Sequence, residues 1–181
     1  PKTLLPKMHD EQKLLDRAPG TRRADDAWVE NFSQTIFKST PAQAAEAAAA
    51  ALAEGFSPSD IGEAISLAAN QLVLRDMGRT PSQESAGKPP GSVHGDSIGV
   101  HACDSACAWR NLARLSNSRN TSACLILGAY QVALDRTNRG GVFLHWEPLP
   151  LFSHVAQVKS TEPSALLRET DFVVTSRPPE A

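Results

Sequence analysis

Residues 40–60 read TPAQAAEAAAAALAEGFSPSD, and this stretch decides the fold class. Its first four letters combine an N-cap threonine, a first-turn proline and a capping-box glutamine, which together begin a helix. The alanine run that follows has the highest helix propensity, and Gly55 is typical of a helix C-terminus. A new N-cap, Ser57, and a second proline come two residues later. The stretch therefore predicts two consecutive helices joined by a tight turn.

Further helices are predicted on both sides of this pair by apolar residues at helical spacing. One covers residues 25–38, the second helix of the pair runs over 58–75, and another covers 121–136. Residues 92–115 are rich in Ala, Ser, Gly and Cys, so they predict a central helix surrounded by other helices. The sequence thus predicts an all-α fold, an orthogonal or up-down bundle of about five helices with extended N- and C-terminal arms.

The chain divides by composition into an extended N-terminal arm (1–23), a helical core domain (24–137) and an extended C-terminal segment (138–181). Within the last part we expect a short helix around 163–168 and a short strand-like stretch at 172–174. The N-terminal arm is expected to wrap either a partner or the rest of the molecule. Arms rich in Pro, Leu and Phe favour a protein partner or a homo-oligomer.

Charge and composition narrow the function classes. The 18 Lys and Arg residues against 20 Asp and Glu residues give a net charge of −2, which argues against the basic footprint of a nucleic-acid-binding domain. No apolar run reaches the roughly 18 residues of a membrane span. Three cysteines at irregular spacing do not make a disulfide framework, which favours a reducing compartment such as the cytoplasm.

Two histidines of the small-residue segment form the candidate metal site. His94 and His101 are seven residues apart, so they differ by only about 20° around a helix. The rest of that stripe is small or apolar (Ile98, Ser105 and Leu112 among others), so both imidazoles are predicted to face inward. Two inward histidines on one face indicate a metal ion or a haem.

The spacing limits how such a site can be built. Seven residues rise about 10.5 Å along a helix, whereas two ligands of one ion each lie about 2 Å from it. Three alternatives remain: His94 lies in a turn before the helix, the two histidines serve different centres, or they are core residues that bind nothing. Glu63, on an apolar helical face, can complete the site or act as a general base, or it can be a charge favoured near a helix start.

Two cysteines lie on the opposite face of the same helix. Cys103 and Cys107 share a stripe with Arg110 and Arg114, about 160–200° away from His101 by the helical repeat. At a spacing of four residues they can bind a soft metal or form a redox pair, and Arg110 is expected to lower the pKa of a nearby thiol. The alternative is that both are small apolar residues of the core.

Two function hypotheses of different classes follow. The first is a helical-bundle domain with a histidine-based metal or haem centre, acting as an oxidoreductase. The second is a non-catalytic interaction or structural module that assembles with a larger partner or forms part of a longer chain. The histidines beside the long polar loop over 77–91 favour the first hypothesis, and the arms favour the second. The sequence predicts no catalytic residue and no substrate.

Overall fold

The computed structural model describes residues 2–92, 97–138 and 143–175. Over these residues it contains seven α-helices of eight or more residues, one single-turn helix and two short 3-10 turns. In chain order the helices are α1 (Leu4–Glu11), α2 (Asp26–Lys38), α3 (Pro41–Ala53), α4 (Pro58–Leu74), α5 (Ile98–Leu115), α6 (Ser118–Asn138), α7 (Phe152–Val155) and α8 (Pro163–Thr175).

The all-α prediction is confirmed, and no strand occurs in the described part of the chain. Five helices, α2 to α6, lie where about five were predicted, but the total is larger because both terminal regions also contain helices. None of the described helices is long and apolar enough to cross a membrane. The chain separates into two compact units, residues 1–146 and residues 147–181.

The turn between α3 and α4 forms as the sequence predicts. The Thr40 side chain accepts a hydrogen bond from the Gln43 backbone N–H, and the Gln43 side chain accepts one from the Thr40 backbone, so the capping box is complete. At the other end of α3, Gly55 has φ +83°. The Phe56 N–H donates to the Ala51 carbonyl at 3.2 Å and the Gly55 N–H to the Leu52 carbonyl at 3.1 Å. This pair of bonds is a Schellman motif, which needs a left-handed residue at Gly55.

The segment before α2 is fixed to this same turn. Arg22 pairs with it through the backbone, accepting from the Ser57 N–H at 2.8 Å and donating to the Gly55 carbonyl at 3.0 Å. The buried carboxylate of Asp60, in the first turn of α4, accepts the Ala24 N–H at 2.8 Å and lies 3.0 Å from the Arg23 guanidinium. A negative charge is favourable at this helix N-terminus, so one acidic residue both supports α4 and holds the preceding chain.

The prediction of an extended N-terminal arm is wrong for residues 4–11, which form α1, and the expected alternative in which the arm packs on the rest of the molecule describes the structure. Helix α1 packs against α3 and α6, and Met8, His9 and Leu14 are buried. The His9 Nε2 lies 3.1 Å from the Ser122 hydroxyl of α6. The apolar residues near the start of the chain give α1 a face to bury, so this segment packs on the rest of its own molecule.

Helices α4 and α5 approach each other very closely. A Cβ added at Gly99 would lie only 2.6 Å from the backbone N and Cα of Val73. Ala102 and Ala106 continue the buried face of α5. Ser97 caps the helix and donates to the Asp76 carboxylate, which follows the end of α4, at 2.5 Å. Small side chains and this cap therefore set the separation of the two helices.

The rotation of α5 differs from the sequence prediction. Gly99, Ala102, Ala106 and Ala113 are its buried residues, while His101 is exposed. Leu112, on the stripe predicted to face inward, is 51% exposed. The prediction that His101 points into the core is therefore wrong. The physical reason is that the close approach to α4 requires the smallest residues, Gly99, Ala102 and Ala106, whereas the stripe of His101 carries the larger Ile98 and Leu112.

The second unit contains α7 and α8. Glu162 caps α8 by accepting the Ala165 N–H at 2.9 Å. The Glu169 carboxylate accepts the Lys159 N–H at 2.8 Å and the Ser160 hydroxyl at 2.5 Å. One helix thus runs through the stretch where a short helix and a strand were predicted, and the expectation of an extended C-terminal segment is wrong there.

The Schellman motif predicts the effect of substituting Gly55. Gly55→Val should lower the free energy of unfolding by more than about 1 kcal/mol, because a β-branched side chain is strained at positive φ. An added Cβ meets no atom within 4 Å, so the cost comes from the backbone conformation and not from a clash. Thermal unfolding measures it. Gly55→Asn is the control and should lose less, and an equal loss for both variants would contradict the left-handed assignment.

The contact at Gly99 predicts a contrast between two glycines. Replacing a helical glycine by alanine ordinarily stabilises a helix by about 0.5–1 kcal/mol. Gly99→Ala should instead destabilise the protein by more than about 1 kcal/mol, because the new methyl group overlaps the α4 backbone. A Cβ at Gly62 would meet the flexible Arg110 side chain at 3.1 Å and the Leu125 Cδ2 at an ordinary contact distance of 3.6 Å, so Gly62→Ala should be nearly neutral. Equal urea midpoints for the two variants would show that α5 does not approach α4 as described.

Candidate functional site

A cleft of about 480 Å³ lies between α4 and α5. Its volume is within the range of roughly 300–1,000 Å³ typical of small-molecule sites. The residues that line it come from both helices: Pro58, Ser59, Ser66, Asn70, Cys103, Cys107, Arg110, Asn111, Ala113 and Arg114. The whole cleft belongs to the first unit of the chain.

One stripe of α5 supplies the reactive and charged groups of the cleft. Cys103, Cys107, Arg110 and Arg114 follow one another at spacings of four, three and four residues, which keeps them on the same helical face. The structure brings together the four residues that the sequence groups on one stripe. The neighbouring face of α5, with Gly99, Ala102 and Ala106, is buried. The cysteine and arginine stripe therefore lies at the edge of the contact between α4 and α5, where its side chains border both the cleft and the solvent.

The facing stripe of α4 supplies hydroxyl and amide groups. Ser59, Ser66 and Asn70 are separated by seven and four residues and line the cleft together. Gly62 lies beside the methylene stem of Arg110, whose Cγ would be 3.1 Å from a Cβ at that position. The glycine thus leaves room for the arginine stem to cross α4, and an apolar stem can pack there while its charged end stays in water.

Cys103 is held as a protonated thiol. Its Sγ donates to the Asn70 Oδ1 at 3.1 Å. Burial raises the pKa of the Cys103 thiol, and the negative charges of Asp104 and of an ionised Cys107 raise it further. The expectation that Arg110 lowers the thiol pKa is therefore wrong for Cys103, because desolvation is the largest effect at this position.

Cys107 has the opposite hydrogen-bonding role. It is exposed, and its Sγ accepts a hydrogen bond from the Asn111 Nδ2 at 3.5 Å. The two thiols therefore differ, one acting as donor and the other as acceptor, although they are one helical turn apart.

The two thiols do not form a disulfide in this structure, and all three cysteines are free. Residues four apart on a helix have Cβ atoms about 5–6 Å apart, whereas a disulfide needs about 3.5–4.5 Å. Cys103 and Cys107 belong to an uninterrupted helix, so closing the bond requires local unwinding. The redox-pair hypothesis remains a prediction that needs such a rearrangement.

The charged side chains of the cleft are not neutralised locally. Arg110 and Arg114 form no ion pair within 4.0 Å among the described residues. Glu63 is exposed and lies on the same face of α4 as Ser59, Ser66 and Asn70, but it is not one of the lining residues. The interior of the cleft therefore carries two guanidinium groups, and the carboxylates of Glu63 and Asp104 lie outside its lining.

The structure does not bring the predicted metal ligands together. Gly62 lies beside Arg110, so Glu63 is at the level of Arg110, which follows His101 by nine residues or about 13.5 Å of helix. His94 lies outside the described residues. No group of three or more His, Cys, Asp or Glu suited to a metal ion occurs in the described part of the chain. A site that includes His94 remains a prediction, which metal analysis and a visible absorption spectrum would test.

Sequence reasoning missed the polar groups that complete the cleft. Ser59 and Ser66 were not singled out, although they share a helical face with Asn70. The contact between Asn111 and Cys107 was also missed, although its spacing of four residues is the one at which helical side chains meet. Both spacings are visible in the sequence, but they indicate a cleft only when the rotation of α5 is known.

No protein-family model, curated protein or solved structure matches this chain. The function is therefore inferred from the geometry of the cleft.

The two thiols should differ in their reaction with iodoacetamide, which alkylates the thiolate. Because its pKa is raised, Cys103 holds less thiolate than an ordinary cysteine (pKa about 8.5) at any given pH. At pH 8 Cys107 should therefore be alkylated first, and the Cys103 rate should keep rising above pH 9. Peptide mass mapping measures both rates. In 8 M urea the two rates should become equal, and faster alkylation of Cys103 in the folded protein would contradict the assignment.

Proposed function

We propose that the chain is a non-catalytic helical-bundle binding module whose cleft between α4 and α5 takes a small organic anion. The observation that carries the proposal is the pair of guanidinium groups, Arg110 and Arg114, which line one cleft and have no carboxylate within ion-pair distance in the described part of the chain. The proposal shares with the second sequence hypothesis only its non-catalytic character, since that hypothesis is an interaction or structural module that assembles with a larger partner or forms part of a longer chain.

The chemistry of the lining supports an anionic ligand. Arginine presents a planar set of N–H donors that matches carboxylate and phosphate oxygens. Asn70, Asn111 and the serine hydroxyls of α4 add neutral donors around the charged pair. Pro58 and Ala113 contribute apolar wall, which suits a ligand with a carbon skeleton better than a bare inorganic ion.

The spacing of the arginines favours a ligand with two or more acidic groups. Arg110 and Arg114 are one turn apart on α5, so their stems leave the helix about 6 Å from each other. A di- or tricarboxylate, or a compound carrying both a phosphate and a carboxylate, can contact both guanidinium groups at once. A single carboxylate engages one of them and leaves the other to water.

A calorimetric titration with citrate as the probe tests the proposal. A charge-assisted hydrogen bond contributes about 1.5–3 kcal/mol, so Arg110→Gln and Arg114→Gln should each weaken citrate binding by about tenfold or more. Glu63→Gln removes the neighbouring negative charge and should strengthen binding by about twofold. Affinity should also fall as salt is raised from 50 to 300 mM, because ions screen exposed charges.

Lys38→Gln is the matched control. It removes one positive charge from an exposed position in the last turn of α2, away from the cleft, and should leave the citrate affinity unchanged. Circular dichroism of each variant confirms that the helices remain. If citrate does not bind, or if Lys38→Gln weakens it as much as Arg110→Gln, the cleft is not an anion site.

The other sequence hypotheses remain proposals beside this one. A metal ion or haem held through His101 and His94, with oxidoreductase activity, has no supporting contact among the described residues. Assembly with a protein partner or with a second copy through the terminal segments is likewise a prediction. For the N-terminal segment, burial of Met8 and Leu14 inside its own unit leaves less apolar surface for such a role.

A further inference from the structure

Of the two thiols that line the cleft, Cys107 is the exposed one. It lines the same cavity as Arg110 and Arg114, and its sulfur accepts the Asn111 amide N–H at 3.5 Å. Three features therefore coincide at one place: an accessible thiol, a donor on its sulfur, and two positive charges within the next two turns of the helix.

We infer that Cys107 is a site of S-thiolation, at which it forms a mixed disulfide with a small disulfide that carries carboxylate groups. This inference rests on the proposed anion-binding function, because the arginines that bind a carboxylate would also hold such a disulfide beside the thiol. The chemical class is a low-molecular-weight peptide disulfide, and oxidised glutathione is the probe.

The reaction is a thiol–disulfide exchange. Cys107 first loses its proton to water, and its thiolate attacks one sulfur of the bound disulfide. A bond forms between Cys107 Sγ and that sulfur while the sulfur–sulfur bond of the ligand breaks. The other half of the ligand leaves with the electron pair as a thiolate and takes a proton from water. Cys107 is oxidised and the departing half is reduced, so the exchange needs no other oxidant.

The neighbouring thiol is placed so that it does not reverse this step. To release the mixed disulfide, Cys103 would have to attack the Cys107 sulfur and form a bond across one helical turn. The Cβ separation of about 5–6 Å in a helix exceeds the roughly 3.5–4.5 Å of a disulfide. Cys103 also donates a hydrogen bond to the Asn70 Oδ1, which favours the protonated and less nucleophilic form of its thiol. The mixed disulfide at Cys107 is therefore the end product.

The identity of the modified residue is tested by incubating the reduced protein with oxidised glutathione. Peptide mass spectrometry should show one glutathionyl group on Cys107 with Cys103 still a free thiol. Cys107→Ser should abolish the adduct. Cys124→Ser, which changes a buried cysteine of α6 outside the cleft, should leave it unchanged. An adduct on another cysteine, or an internal disulfide between Cys103 and Cys107, would overturn the inference.

The role of the arginines is tested by comparing two disulfides. Oxidised glutathione carries carboxylates, and 2-hydroxyethyl disulfide is neutral. We divide the rate constant for oxidised glutathione at Cys107 by that for 2-hydroxyethyl disulfide. This ratio should fall about tenfold in the double variant Arg110→Gln/Arg114→Gln, because steering by charge raises association rates by about that factor or more. In the wild-type protein the ratio should also fall as salt is raised. If neither the double substitution nor added salt changes this ratio, the arginines do not recognise the anionic disulfide and the inference fails.

The outcome separates this inference from the proposed function. If citrate binds and slows the alkylation of Cys107 but oxidised glutathione leaves no adduct, the cleft binds anions and the thiolation inference fails. If Cys107 is thiolated at equal rates by the charged and the neutral disulfide and citrate does not bind, both the proposed function and the recognition step fail.

Discussion

The close approach of α5 to α4 at Gly99 determines the rest of the site. With no side chain at this position, the α5 backbone lies against Val73, and Ala102 and Ala106 continue the contact. That contact fixes the rotation of α5, and the rotation decides that the cysteine and arginine stripe borders α4 while His101 is exposed. The cleft is thus a consequence of how small residues pack, because a larger residue at position 99 would hold the helices apart.

A second constraint holds the helix pair in place at the other end. The backbone of Arg22 forms two hydrogen bonds with the turn at Gly55, and the buried Asp60 carboxylate accepts the Ala24 N–H and pairs with Arg23. The beginning of α4 is therefore tied to the segment before α2, while its end is tied through Asp76 to the cap of α5. Because both ends of α4 are fixed, its cleft-lining residues Ser59, Ser66 and Asn70 are held in place, so binding of a ligand does not require the helices to rearrange.

Local chemistry explains which parts of the fold could be predicted from the sequence. Thr40, Ser57 and Gly55 act through hydrogen bonds to residues a few positions away, so their motifs indicate helix ends directly. The rotation of α5 depends on contacts between distant residues. Hydropathy favours the His101 stripe, which carries the apolar Ile98 and Leu112, over the Gly99 stripe, whose small residues are the ones that allow the close approach to α4. The grouping of Cys103, Cys107 and Arg110, like the contact of Cys107 with Asn111, needs only the helical repeat, whereas the contact of Cys103 with Asn70 on another helix requires the packed structure.

The most direct test of the cleft is an NMR titration that observes the arginine Nε–Hε groups as citrate is added. If the anion binds between α4 and α5, the resonances of Arg110 and Arg114 move together and saturate at one dissociation constant. Arg168, exposed in the other unit of the chain, stays in place. A small linear drift shared by all the arginines, or no movement at Arg110 and Arg114, would contradict the assignment of this cleft as the binding site.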